Sequence, residues 1–326
     1  MSYLKAYWIL FNHLNNKFGL VFLVGTKNFK IIVLRTKRLE EDMKQSNPSL
    51  TANKVAMMRA AHQILDSPIV FKDPIALNII GAQSVSDIHS KERTFKTKLH
   101  SYLRAIVVAR SSFAEAELSV AIKRGIRQYV ILGAGLDTFA YRNPNSRDGL
   151  HVFEVDYPAT QEWKHQQLNE ANIQIPETLT FVPIDFETQS LAGQLEIAGF
   201  RTNELTFFSW LGVTMYLTHD TMMETMKFIT SSTPPGSKVV FDYVIPPSSQ
   251  KFLRRLVFHL LSKKVKRAGE PWKSFYDPNS LMKDLKAIGF TQTQDIGPEE
   301  INTLFFKNRT DKLWVGNLGH LMKTQV

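Results

Sequence analysis

A chain of 326 residues, 44% of them apolar, is long enough to bury a large core, and α/β sheets of this size often remain one domain. The absence of cysteine excludes disulfides, thiolate metal sites and cysteine nucleophiles, and fits a reducing cytoplasmic setting. The formal net charge of +10 invites a nucleic-acid reading until it is located: residues 1–39 carry +7, residues 251–273 carry +7, and the rest of the chain is left at −4, so the basic segments read as solvated faces.

Along the chain, Tyr7–Phe11 and Phe18–Val24 are apolar, but Lys17, Lys27 and Lys30 interrupt them. Neither run approaches the roughly 20 apolar residues a membrane-spanning helix needs, and no signal-peptide pattern is evident. Residues 1–42 therefore read as an extension of unassigned role, and 43–326 as a single domain. From Ser49 the pattern turns helical, with Ser49 or Thr51 as N-cap and Val55, Met58, His62 and Leu65 at helical spacing. Ser67-Pro68 and Asp73-Pro74 break it. A second helix is predicted over about Tyr102–Lys123, closed by Gly125, with an apolar stripe of Leu103, Ile106, Val107, Phe113 and Ala114. Arg110 falls inside that stripe, where a charge must snorkel or find a partner. His62, His100, His151 and His165 are scattered singly and read as hydrogen-bonded structural residues, with no metal cluster.

The run Tyr129-Val130-Ile131-Leu132-Gly133-Ala134-Gly135-Leu136-Asp137-Thr138 is an apolar strand leading into a turn with two glycines and an acid, and His151–Asp156 is a second strand that also ends on acid. The first glycine lets the chain turn sharply, the second lets a ligand lie against backbone, and Asp156 can accept hydrogen bonds from ribose hydroxyls. A dinucleotide fingerprint wants Gly or Ala where Thr138 stands, and a carboxylate at Asp137 would repel a pyrophosphate. A ligand with an ammonium, a sulfonium and no phosphate suits the position instead, and S-adenosyl-L-methionine is such a ligand. A strand-turn junction with incidental glycines is the plain alternative.

The run Arg127–Arg142, followed by Phe153-Glu154-Val155-Asp156-Tyr157-Pro158-Ala159-Thr160-Gln161, resembles the leucine carboxyl methyltransferase superfamily, and more narrowly its bacterial branch of S-adenosyl-L-methionine-dependent methyltransferases. The resemblance runs from about Ser49 to about Gly289. It implies an α/β, Rossmann-like class I methyltransferase fold with a mostly parallel seven-stranded sheet, an N-terminal helical cap (43–125), a cofactor-binding core (126–245), a lid insertion (246–280) and C-terminal strands of the same sheet (281–326). It also implies that Arg110 pairs with the methionyl carboxylate, for which a planar guanidinium is well shaped. Arg59 recurs in the family's pattern, with a surface salt bridge as its alternative role. Because similarity begins only after Met43, initiation at that methionine is an expectation for mass spectrometry of the native N-terminus.

Three further strands are predicted. Leu179–Phe186 ends on Asp185 and Phe186, which the resemblance places at the adenine; Asp185 as N-cap of a following helix is the plain reading. Thr206–Thr218 is the fourth strand and its exit, with Thr218 as N-cap of a helix over Asp220–Thr230; other branches carry a glutamate near Leu211, so no cofactor contact is assigned there. Lys238–Val244 is the fifth. The basic and aromatic stretch Pro246–Pro278 reads as a lid over an acceptor pocket, suited to an acidic acceptor, or as a solvated insertion. Leu281–Ile288 reads as a helix closed by Gly289, followed by strand-like runs at Phe290–Ile296 and Lys312–Gly316.

The cofactor-binding set is therefore Arg110, Gly133, Gly135, Asp137, Asp156, Asp185 and Phe186, with no metal and no named catalytic residue. The expected partner is a small-molecule or peptide methyl acceptor methylated on a carboxylate or hydroxyl oxygen. An NAD(P)-dependent oxidoreductase and a non-catalytic nucleoside or nucleic-acid binding module are the rival readings. Asp137 and Thr138 speak against the first, and the absence of an Asn-Pro-Pro-Tyr or Asp-Pro-Pro-Tyr motif against nucleic-acid methylation.

Overall fold

Strict alternation builds the centre of the molecule. In strand β1 (Gln128–Leu132) every residue is buried, with Tyr129 and Ile131 entering one apolar cluster and Val130 and Leu132 the other, so the sheet is covered on both faces. The computed structural model describes residues 21–22, 33–34, 49–144, 149–185, 188–246 and 272–326. β2 (His151–Asp156), β3 (Leu179–Pro183), β4 (Thr206–Trp210) and β5 (Lys238–Val244) add in parallel to give the order β3-β2-β1-β4-β5. β7 (Gly319–Gln325) then pairs antiparallel with β5, and β6 (Thr291–Ile296) pairs antiparallel with β7 at the edge. This is the seven-stranded, mostly parallel sheet that the resemblance implies. Strand order reverses between β1 and β4, and open α/β sheets bind ligands at such a switch point.

Helices α1 (Leu50–Leu65), α2 (Gly81–Ser90) and α3 (Lys98–Lys123) precede the sheet. Ser49 caps α1, its side chain accepting from Ala52 N at 3.1 Å. The small residues Ala56, Ala60 and Ala61 let α1 pack closely with Val107 of α3 and Leu136 of the glycine turn. α3 begins at Lys98 rather than near Tyr102 and is buried over a broad arc, Ala105 to Ile122 entering one of the two clusters that cover the sheet. Leu103, expected on its apolar stripe, is instead exposed, while Arg104 is buried and holds Asp66 at 2.6 and 2.8 Å. His62, also buried, pairs with Asp66 at 2.8 Å, as a structural histidine would. Arg309 donates to Pro68 O at 2.6 Å and Ser67 N donates to Asp311, tying the turn after α1 to the C-terminal region.

The crossover helices follow as α4 (Pro158–Glu170), α5 (Leu191–Ile197), α6 (His219–Ser232), α7 (Pro278–Ala287) and α8 (Pro298–Phe305). Thr218 caps α6, accepting from Thr221 N at 3.2 Å. Ser190, and not Asp185, caps α5, accepting from Gly193 N. The predicted strand at Lys312–Gly316 does not form. Val315 gives its N–H and C=O to the Asn302 side chain at 2.8 and 3.0 Å, and Lys312 has φ +57°, so this backbone is satisfied locally and the last strand starts at Gly319. Met1–Pro48 and Ser49–Val326 form two compact units. In the first, Val21–Phe22 and Val33–Leu34 pair antiparallel. Among the described residues no helix is long and apolar enough to cross a membrane.

Candidate methyl-donor site

The turn after β1 is built for close approach of backbone. Gly133 (φ +70°) and Gly135 (φ +50°) both lie in the left-handed region that favours glycine. A Cβ on Gly133 would stand 2.4 Å from Val213 Cγ2, and one on Gly135 would stand 3.0 Å from Ala52 Cβ of α1. The missing side chains thus also make room for the protein's own segments. Gly133 N and Ala134 N both donate to Val155 O, extending the β1–β2 ladder into the turn. Asp156, at the tip of β2, accepts from Gly135 N at 2.5 Å and from Tyr157 N at 2.7 Å. Desolvation pushes its carboxyl above the ordinary value, against the pull of those two N–H groups. With Thr160 as a third partner, the carboxylate still keeps lone-pair capacity for a ligand hydroxyl.

A network of buried charges fixes the rest of the turn. Arg59 is buried and donates to Leu136 O, and its guanidinium lies 3.5 Å from Asp137 and 3.6 Å from Asp73. A surface salt bridge for Arg59 is therefore excluded. Asp137 accepts from Phe139 N at 2.8 Å and faces Arg59, which it shares with Asp73. Thr138 is fully buried and donates to Asp73 at 2.8 Å, while Arg142 pairs with Glu115 and lies 3.6 Å from Asp73. A four-residue 3-10 helix, Phe139–Arg142, follows the turn where a dinucleotide site would open an α-helix toward pyrophosphate. Behind Asp156, the fully buried Glu154 takes Lys164 at 2.5 Å and leaves Oε1 without a partner; burial pushes its carboxyl up to about 7.

Across the switch point, Arg110 does not snorkel. It is buried and donates from Nη1 to Asp242 Oδ2 at 2.8 Å, while Asp242 Oδ1 accepts from Gly212 N. Asp242 escaped sequence reasoning, although a lone acid inside the apolar strand Lys238–Val244 is itself a signal of a buried partner. Asp73, Glu115 and Arg142 were missed as well, because their shared cluster exists only once α3 and the glycine turn are packed together.

Between these walls lies a cavity of about 430 Å³, the size range of small-molecule sites. Arg110, Gly133, Gly135, Asp137 and Asp156 all line it, so five of the seven sequence-predicted residues meet at one place. Asp185, half-buried beyond the end of β3, is not among the lining residues; its N–H takes Gln189 Oε1 at 3.0 Å. Phe186 lies outside the described residues. Arg59 and Ala52 add the α1 wall, and Tyr216, Thr221, Thr225 and Lys273 also line the cavity. Among the described residues no group of acids and histidines could hold a metal ion.

An order-reversing sheet of this kind, with glycines after β1 and an acid closing β2, defines a Rossmann-like methyltransferase fold. A solved structure of a "putative methyltransferase" from Thermobifida fusca YX shares it, with a TM-score of 0.53 at 13% identity, covering 86% of this chain and 95% of that one. The leucine carboxyl methyltransferase family model matches residues 52–230, and the chain belongs to that family. It is 36% identical over 292 residues to "Putative S-adenosyl-L-methionine-dependent methyltransferase YktD" of Bacillus subtilis, an alignment covering 83% of this chain and 95% of the relative. A Mycobacterium marinum protein named in the same terms is 29% identical over 212 residues, covering 63% of this chain and 68% of its own length.

Proposed function

We propose that this chain methylates an oxygen acceptor, a carboxylate or a hydroxyl on a small molecule or peptide, at the cavity above the switch point. The methyl donor is S-adenosyl-L-methionine, the donor named for the relatives in this family. The observation that carries the reading is the convergence of Gly133, Gly135, Asp156 and Arg110 on one cavity, where the turn after β1 runs into a 3-10 helix and not into the α-helix of a dinucleotide site. That donor set fits the group: Asp156 accepts from vicinal ribose hydroxyls, and Arg110 offers its planar N–H edge to the methionyl carboxylate. We assign Asp185 and Phe186 to the adenine on the family resemblance alone. Asp137 stands in the cavity wall, facing Arg59.

When bound, the donor supplies a methyl group made electrophilic by its sulfonium. The chain's own part is to enclose, orient and dry the reacting pair, and such positioning is worth about 7 to 11 kcal/mol in favourable cases. A carboxylate acceptor is ionised at neutral pH and needs no general base, so no catalytic residue is assigned. Residues 246–280 are proposed as the lid over the acceptor; 247–271 lie outside the described residues.

Isothermal titration tests the donor. Binding of S-adenosylhomocysteine and no binding of NADH is expected, and the opposite result would replace this reading with the oxidoreductase. For the acceptor, metabolites of a deletion strain fed methyl-labelled methionine should lack one labelled methyl ester or ether.

A further inference from the structure

Arg110 reaches the cavity from α3, yet its aim is set by two residues on other elements. We propose that Asp242 and Gly212 are positioning residues that hold the Arg110 guanidinium in place for the carboxylate of the donor's amino-acid tail. The inference rests on the donor-site reading above and extends it to Asp242, which does not line the cavity, and to Gly212 of the cavity wall.

Asp242 is buried, and both its oxygens are engaged, Oδ2 by Arg110 Nη1 at 2.8 Å and Oδ1 by Gly212 N. It does not line the cavity, so its influence passes through Arg110. Gly212 works from the opposite side. With φ +78°, a Cβ there would stand 2.5 Å from Nη2, 2.8 Å from Nη1 and 2.9 Å from Cζ of Arg110. The guanidinium thus fills the space that any larger residue would take. Asp242 engages the guanidinium through Nη1, and Arg110 lines the cavity, so the rest of its N–H edge is available to a ligand there.

Two consequences follow from this geometry. A long, rotamer-rich side chain is ordered before the ligand arrives, so less conformational freedom is lost on binding. The pair is also neutral overall and offers directed N–H groups without a net positive field. That suits a zwitterionic amino-acid tail, which carries its own ammonium, better than a phosphate.

The test compares S-adenosylhomocysteine with 5′-methylthioadenosine, which keeps the nucleoside and thioether but lacks the amino-acid tail. Titration calorimetry is run on the full chain as wild type, Asp242→Asn and Gly212→Ala. Both variants are expected to bind S-adenosylhomocysteine at least tenfold more weakly while holding methylthioadenosine within twofold of wild type. Equal weakening of both ligands, or S-adenosylhomocysteine binding within twofold of wild type, overturns the positioning role while leaving the donor site intact. Wild type that binds neither ligand overturns the donor-site reading and this inference with it. If Asp242→Asn does not fold, Gly212→Ala, which keeps both charges, decides the matter by the same split.

Discussion

Asp156 shows how one side chain serves structure and ligand together. Its oxygens already receive Gly135 N and Tyr157 N, so the carboxylate is oriented before any hydroxyl reaches it. Asp156→Ala should weaken S-adenosylhomocysteine binding by about 1.5–3 kcal/mol for each charge-assisted bond lost, about 12- to 150-fold per bond, with a melting temperature that confirms folding. Unchanged affinity in a folded variant would contradict the assignment. Asp156 was legible in the sequence because it ends a β-branched strand at a fixed distance from Gly133. Arg110 was legible because a charge inside an apolar stripe demands an explanation, but its partner lies 132 residues away and no local spacing reveals it. The ion pair at Asp137 was equally hidden, since Arg59 arrives there only when α1 docks on the turn.

Between elements, Glu154 of β2 and Lys164 of α4 form a fully buried ion pair at 2.5 Å. The folded protein holds the Glu154 proton up to about 7, against an ordinary value of 4.5. A raised value means that protonation favours the fold, so this contribution is full below about 4.5 and is lost as pH rises through about 7. Urea unfolding between pH 5 and 8 should therefore show wild-type stability falling with a slope that Glu154→Gln removes, whatever the variant does to absolute stability. Parallel slopes in the two proteins would refute this. β1 was readable as an apolar run ending in glycine, and the existence of α3 from its apolar spacing, though not its start at Lys98 or the exposure of Leu103. Lys312–Gly316 misled because its apolar run Leu313-Trp314-Val315 mimics a strand, while His320–Gln325, four of whose six residues are polar, hides one whose pairing on both sides is set by distant segments.

Over the whole molecule, the sheet sets where the cavity lies, and α1 and α3 contribute to its wall. Ser49–Val326 is compact in itself, and the family match falls entirely inside it. A fragment of those residues should bind S-adenosylhomocysteine within twofold of the full chain by calorimetry; loss of binding would assign the preceding segment to the site. The topology carries one more consequence, through β7. This strand is synthesised after every other member of the sheet, yet its place is internal, hydrogen-bonded to β5 on one flank and β6 on the other. Until it emerges from the ribosome, β5 presents an open edge and β6 has no neighbour, the condition under which nascent chains associate with one another. Biogenesis of this enzyme is thus exposed to association for as long as the keystone of the sheet is still to be inserted.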